Sequence, residues 1–413
     1  MAAICAGWAR SEITPPLGSR LRGYFVERLA EGVHDPLNAK ALYLRDGTEE
    51  LAFVALDLCS LDRRLTARAR ELAAEQLGLA PERLILHATH THLGPFAHEH
   101  VELLAQRIVL AVAEARRSAA PVSAAAGRGT EESIAFCRRF LMQDGSVRTN
   151  PGRRNPEVVR PTAPIDPHCD VLVLVQADGR RLVVVNYALH LDTVGGKVMG
   201  ADYPYFMEQL VRRVHGPQTD CLFIQGCSGD VNHIDVTRAD QPKGFAQAEE
   251  IGTVLGAEVL KVIQRAEPVE LGPLVYGSRQ LRFEVEVPTD EQVTEARRVL
   301  AESEPAMRPD RVGAGRIVAL AEKGSPLVVE VDAIKLGELA LVAAPGELFC
   351  AFGLRLKATS SARLTLFAEL CHDDMRYIPT ADAAQAGGYE SWSNILPVGA
   401  GDQIVDTALE LLG

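Results

Sequence analysis

Four apolar runs in the first part of the chain each stop at a residue that can do chemistry. Leu51-Ala-Phe-Val-Ala-Leu ends at Asp57, and Arg83-Leu-Ile-Leu ends at His87. Arg181-Leu-Val-Val-Val-Asn-Tyr-Ala-Leu ends at His190, and Asp220-Cys-Leu-Phe-Ile-Gln225 leads into Gly226-Cys-Ser-Gly-Asp-Val-Asn232. Runs this short read as strands, and the stretches at 61–79, 101–117 and 205–214 between them carry helical spacing. The alternation points to an α/β fold with mixed, largely parallel central sheets and flanking helices. In such folds ligands bind beyond the carboxyl ends of strands, where loops present side chains over a rigid base.

After a helix over 246–265 the pattern changes. Residues 274–287 alternate as a strand, 291–302 read as a charged amphipathic helix, and 308–325 read as a loop. Leu327-Val-Val-Glu-Val-Asp-Ala-Ile-Lys335, a short turn and Leu339-Ala-Leu-Val-Ala-Ala344 form a β-hairpin. The polar stretch 138–167 is too long for a turn and reads as a functional loop. No linker or charge run divides the chain, so its 413 residues read as a single large catalytic domain with a hairpin-containing C-terminal portion.

Composition removes several classes of function. With 43 basic against 55 acidic residues the formal charge is −12, and no local basic patch offsets it, so nucleic acid is excluded as a partner. No apolar run reaches the roughly 20 residues needed to span a bilayer, and the start lacks a secretory pattern, so a cytoplasmic address is expected. The eight cysteines show no C-x-x-C pair and read as buried thiols. Oligomeric state, homo-oligomer included, is left open.

An H-x-H pair at a strand terminus, here His90 and His92, suits a metal, because neutral imidazole ligates well. In extended backbone alternate residues face opposite ways, so one of the two is expected to ligate and the other to face substrate. His87 reads as a hydrogen-bonded core histidine. His190 has Asp192 and Asp202 close in sequence, which suggests a polar cavity. Glu347 follows a strand and a Pro-Gly turn, where it serves either as a ligand or as an acid at a helix N-terminus.

Taken in order, several segments resemble the catalytic domain of the neutral/alkaline ceramidase family. They are Ala6-Gly-Trp-Ala-Arg-Ser-Glu-Ile-Thr-Pro-Pro16, Gly32-Val-His-Asp-Pro-Leu37, Ala88-Thr-His-Thr-His-Leu-Gly-Pro95 and His190 with Ala201-Asp-Tyr-Pro204. Gly229-Asp-Val-Asn232, Pro345-Gly-Glu347, and Arg376-Tyr-Ile-Pro-Thr380 with Tyr389 complete the set. The resemblance implies one Zn²⁺ per chain on His90, His190, Glu347 and Tyr377. It implies that His92 contacts the scissile carbonyl, that Arg138 or its neighbour Arg139 faces the site, and that Tyr389 faces substrate. Asn232 stands where the family has serine, and Ala386 where it has a second substrate-facing tyrosine. Secretion and the C-terminal sandwich domain of the large ceramidases are not expected here.

The function expected from this is zinc-dependent hydrolysis of an amide by metal-activated hydroxide, on a small non-ceramide substrate. His92 and Arg138 would meet the charge on the carbonyl oxygen, and Asn232 would orient water or substrate. Asp57, Asp202 and Asp230 are candidates for fixing imidazole tautomers. One alternative keeps the zinc and changes the substrate to an ester or lactone. An amidohydrolase barrel, with both His90 and His92 as ligands, would need eight strand-helix units, more than the chain offers. An inactive binding homologue cradling phosphate on 226–232 would lack the P-loop lysine.

Overall fold

The computed structural model describes residues 4–302 and 307–413. Its larger sheet is built in two halves with one element order. The first comprises β1 (Cys5–Glu12), β2 (Asn38–Arg45), β3 (Glu50–Leu56), α1 (Arg63–Leu77), β4 (Leu84–Ala88) and α2 (Val101–Arg117). The second comprises β5 (Ala120–Thr130), β6 (His168–Gln176), β7 (Arg181–Tyr187), α3 (Tyr203–His215), β8 (Thr219–Gln225) and α4 (Phe245–Arg265). The strand order is β8-β7-β6-β5-β1-β2-β3-β4, with the two-residue strand Glu267–Pro268 added against β5.

The sheet is mixed, as expected, but it is not largely parallel. Only β3 with β4 and β7 with β8 run parallel among these neighbours. Each of those pairs is joined through a helix, α1 or α3. The other neighbours are antiparallel, because β2 turns directly into β3 and β6 into β7, and only a crossover long enough to hold a helix returns a strand in the same direction.

The halves are stitched at Cys5–Pro121 and Ala6–Ala120, and the outer strands meet on the far side. There the Gln225 N–H donates to His87 Nε2 at 3.0 Å, while His87 Nδ1 lies 2.7 Å from the Glu369 carbonyl. His87 is therefore structural. Strand periodicity divides the core. Leu42, Leu51, Phe53, Leu172, Val184 and Ile224 fill one apolar interior between the halves. Their neighbours Tyr43, Ala52 and Val54 face α1 and α2, and Val171, Val183 and Phe223 face α3 and α4. Truncating one of the large interior side chains, such as Phe53→Ala, would cost about 3–5 kcal/mol.

A second sheet covers that interior. Its strands β9 (Leu274–Phe283), β10 (Leu327–Leu336), β11 (Leu339–Ala343) and β12 (Leu364–Ala368) pair in that order. The β10–β11 hairpin forms as the sequence predicts, but its first strand runs one residue further, and Leu336, expected in the turn, pairs with Leu339. Ile334, Leu336, Leu364 and Leu366 join the same core. Between β9 and β10 lie α5 (Asp290–Glu302) and α6 (Pro309–Lys323). The stretch read as a loop over 308–325 is thus a helix. Gly313 and Gly315 weaken its local signal, but Pro309 opens it and Val312, Ala319 and Leu320 are buried. The polar stretch 138–167 folds into three short strands, Arg139–Met142, Val147–Thr149 and Val158–Pro161. Seven of the eight cysteines are buried thiols, Cys5 being half-buried. Among the described residues no helix is long and apolar enough to cross a membrane.

Candidate metal centre

The carboxyl ends of β4, β7 and β8 converge with the segment after β11. His90 lies two residues past β4 and His190 three past β7. Glu347 occupies a two-residue strand, Glu347–Leu348, that pairs in parallel with Tyr377–Ile378, so Glu347 and Tyr377 are register partners. Gly229, in the turn after β8, packs against this strand, and a Cβ there would lie 2.5 Å from the Glu347 carbonyl oxygen. The close approach requires glycine.

Three donor atoms meet at the centre of this group. Glu347 Oε2 lies 3.5 Å from His90 Nε2 and 3.2 Å from His190 Nε2. A tetrahedral ion with bonds of roughly 2.0–2.1 Å spaces its ligands about 3.3 Å apart, so the set fits one. The far nitrogens are held by backbone: His90 Nδ1 is 2.7 Å from the Cys59 carbonyl and His190 Nδ1 is 3.0 Å from that of Ser228. Both rings therefore turn Nε2 inward. Glu347 Oε2 is buried with no hydrogen-bond partner among the described residues, which is costly unless a cation or proton meets it.

Burial disfavours a charged His90, yet the Glu347 and Cys59 charges beside it hold the imidazole well above 6.5, so a cation entering the site would have to displace that proton. Burial opposes the charged form of Glu347, yet His90 and His190 beside it hold the carboxyl well below its ordinary range. Burial, with help from Arg138 and His90, holds His190 well below 6.5, so its Nε2 is unprotonated and faces Arg138 Nη1 at 3.1 Å. Burial and the Glu347 charge hold Tyr377 well above 10, so it enters as a neutral phenol. A bound cation would reverse that trend.

His92 does not point away from His90. Their Nε2 atoms are 3.3 Å apart, because His90 adopts a φ of 80°. That left-handed conformation breaks the alternation expected of extended backbone, so both imidazoles face one centre. Arg138 faces it as well, with Nη1 3.1 Å from His190 Nε2 and its guanidinium 5.0 Å from the centroid of the Tyr377 ring. Arg139 turns away to the carbonyls of Ala383 and Gly387. Tyr389 stands edge-on to Tyr377, ring centroids 5.3 Å apart.

Asn232 lies at the edge of the group with its amide already used. It donates to Asn150 Oδ1 at 2.8 Å and accepts from the Ile234 N–H at 3.0 Å, which fastens two loops. The three aspartates proposed to fix tautomers do other work. Asp57 accepts from the Asn38 N–H, Asp202 from Thr193 and Tyr203, and Asp230 from the Cys350 N–H. Backbone carbonyls take the tautomer-fixing role for His90 and His190.

Sequence reading missed Glu390 and Cys59. Glu390 is fully buried and takes Arg138 Nε on one oxygen and Arg139 Nη1 on the other, both at 2.8 Å. Two adjacent arginines in a mostly apolar setting were the available signal, since buried guanidinium groups need an acid. Cys59 Sγ lies 4.0 Å from His90 Nδ1. Burial opposes its ionisation, but His92 and His90 bring the thiol down to about 6.

No family model matches the chain, and no curated protein matches its sequence. Solved structures do share its architecture. A ceramidase complexed with C2 superposes with a TM-score of 0.76 at 18% identity, over 100% of this chain and 75% of that one. The neutral ceramidase from Pseudomonas aeruginosa superposes with a TM-score of 0.79 at 18% identity, over 100% of this chain and 74% of that one, so the whole described chain has a neutral ceramidase fold.

Proposed function

We propose that this protein is a zinc-dependent hydrolase that cleaves the amide bond of a small N-acyl compound other than ceramide. The observation that carries the reading is the convergence of His90 Nε2, His190 Nε2 and an unpartnered, buried Glu347 Oε2. Two imidazoles and one carboxylate form a donor set typical of catalytic zinc, and Tyr377 stands beside them as a fourth candidate. Zinc, when bound there, supplies a Lewis acid and water acidic enough to ionise near neutral pH.

The remaining steps fall to the chain. Arg138 is fixed through Nε by Glu390 and through Nη2 by the Gly229 carbonyl, which leaves Nη1 at the centre as a positive donor held in advance for the carbonyl oxygen. His92 presents Nε2 to the same space, where it can take a proton from the attacking water and give one to the leaving amine. Tyr389 packs edge-on against both Tyr377 and Phe25 beside the centre. Arg138 beside His190, and Asp192 and His233 beside His92, make the surroundings polar, which favours a small polar amide over a long-chain one.

Metal analysis paired with hydrolysis of matched N-acyl and O-acyl compounds tests this. The expected result is about one zinc per chain, cleavage of the amide, loss of activity on chelation and recovery with zinc. Metal-free protein that remains active would sink the reading, and cleavage of the ester alone would replace amide with ester as the substrate.

A further inference from the structure

His92 presents Nε2 to the centre, and its other nitrogen is the unusual one. Nδ1 is buried without a hydrogen-bond partner among the described residues. Unlike the Nδ1 atoms of His90 and His190, it has no backbone carbonyl to set its tautomer. Asp192 Oδ1 lies 3.5 Å from it. That carboxylate is itself held by the Tyr24 hydroxyl, and the Tyr24 ring stands edge-on to the imidazole, centroids 5.7 Å apart.

The loop carrying Tyr24 is pinned to the same place. Arg28 lies over the Tyr24 ring at 4.1 Å and donates to the carbonyls of His92 at 2.7 Å and Gly196 at 2.9 Å. Gly23, at a φ of 110°, lets the backbone pass so close that a Cβ would sit 2.5 Å from His92 Nδ1. The imidazole is thus packed against this loop, with the Asp192 carboxylate beside Nδ1 and the Cys59 thiol close by.

We propose that Asp192, held by Tyr24, is a positioning residue that keeps the His92 proton on Nδ1 and turns the Nε2 lone pair toward the metal centre. A neutral imidazole has one N–H, and a carboxylate beside one nitrogen favours the proton there. At 3.5 Å the two atoms stand at an ion-pair distance rather than in a hydrogen bond. This inference rests on the reading of His92 as the proton-transfer group.

The test is ¹⁵N NMR of the zinc-loaded protein labelled on histidine, with the His92 signals assigned by their loss in His92→Gln. The expected spectrum has a protonated Nδ1 and a bare Nε2. Asp192→Asn should move these signals toward the opposite tautomer and lower kcat about 10- to 100-fold, with KM little changed and zinc retained. Asp192→Glu should restore part of both. Wild-type His92 protonated on Nε2, or His92 signals unmoved by Asp192→Asn, overturns the proposal. The spectrum needs no substrate, so its failure is separate from a failure to hydrolyse amides.

Discussion

Two clusters in this molecule have similar ingredients and opposite character. One is His90, His190 and Glu347; the other is Glu330, Asp332 and His372. In the second, every carboxylate finds a partner. Asp332 accepts from the Tyr276 hydroxyl at 2.8 Å and lies 2.7 Å from His372 Nε2, while Arg70 reaches both oxygens of Glu330, at 2.6 and 3.1 Å. In the first, the carboxylate oxygen nearest both imidazoles has no hydrogen bond at all among the described residues. Donor type alone therefore does not mark a metal site. What separates the clusters is which groups meet the charge: a guanidinium in one, only the two imidazoles in the other. Arg70 supplies the guanidinium, while among the described residues no lysine or arginine pairs with Glu347.

The largest effect should come from Glu347→Gln, which removes the anionic donor while keeping its shape. Zinc affinity should fall by more than the roughly 10- to 100-fold typical of disturbing a ligand's outer partner, measured by metal retained through dialysis against a competing chelator. Stoichiometric zinc in that variant would erase the distinction between the clusters. Asp332→Ala is the converse. It strands Tyr276, His372 and a buried positive neighbourhood, so denaturant unfolding should show a loss of about 3–5 kcal/mol with zinc content unchanged. Loss of zinc without loss of stability would reverse the assignment.

The contrast also explains what could be read from the chain beforehand. His190 was visible because it ends an apolar run, and His90 because it stands in an H-x-H pair just past one, where α/β folds place chemistry. Glu347 read equally as a helix-start acid, and only the resemblance to the ceramidase family grouped the three. The β10–β11 hairpin was visible from alternation. Strand direction was not, because a run such as Val183-Val-Val looks the same in either sense and only the connection decides it. The joint facing of His90 and His92 was hidden in one dihedral angle. Helix Pro309–Lys323 was hidden by two glycines that tertiary packing overrides. Glu390 was hidden because its partners, Arg138 and Arg139, are distant in sequence. Asp192 was visible only as the mark of a polar cavity, since its contacts with Tyr24 and His92 are supplied by the folded chain.

Asp57 offers the finest comparison, since it is a buried carboxylate of neither kind. It accepts the Asn38 N–H at 2.9 Å and has Thr89 Oγ1 3.4 Å away. Burial pushes its carboxyl up to about 6, with Lys40 only partly opposing. An unfolded aspartate titrates near 3.9, so the folded chain holds this proton more tightly. Below about pH 4 both states are protonated and Asp57 costs nothing; as pH rises from about 4 through 6 the folded state loses stability, and above that the loss is constant. The gap between the folded and unfolded carboxyl amounts to at most about 3 kcal/mol. Asp57→Asn, which cannot ionise, should therefore gain on wild type steadily between pH 4 and 6 and hold that lead at pH 7, read from unfolding curves of metal-free protein. A difference that stays flat from pH 4 to 7 would show that Asp57, like Asp332, has its charge satisfied, and would leave Glu347 as the distinctive carboxylate.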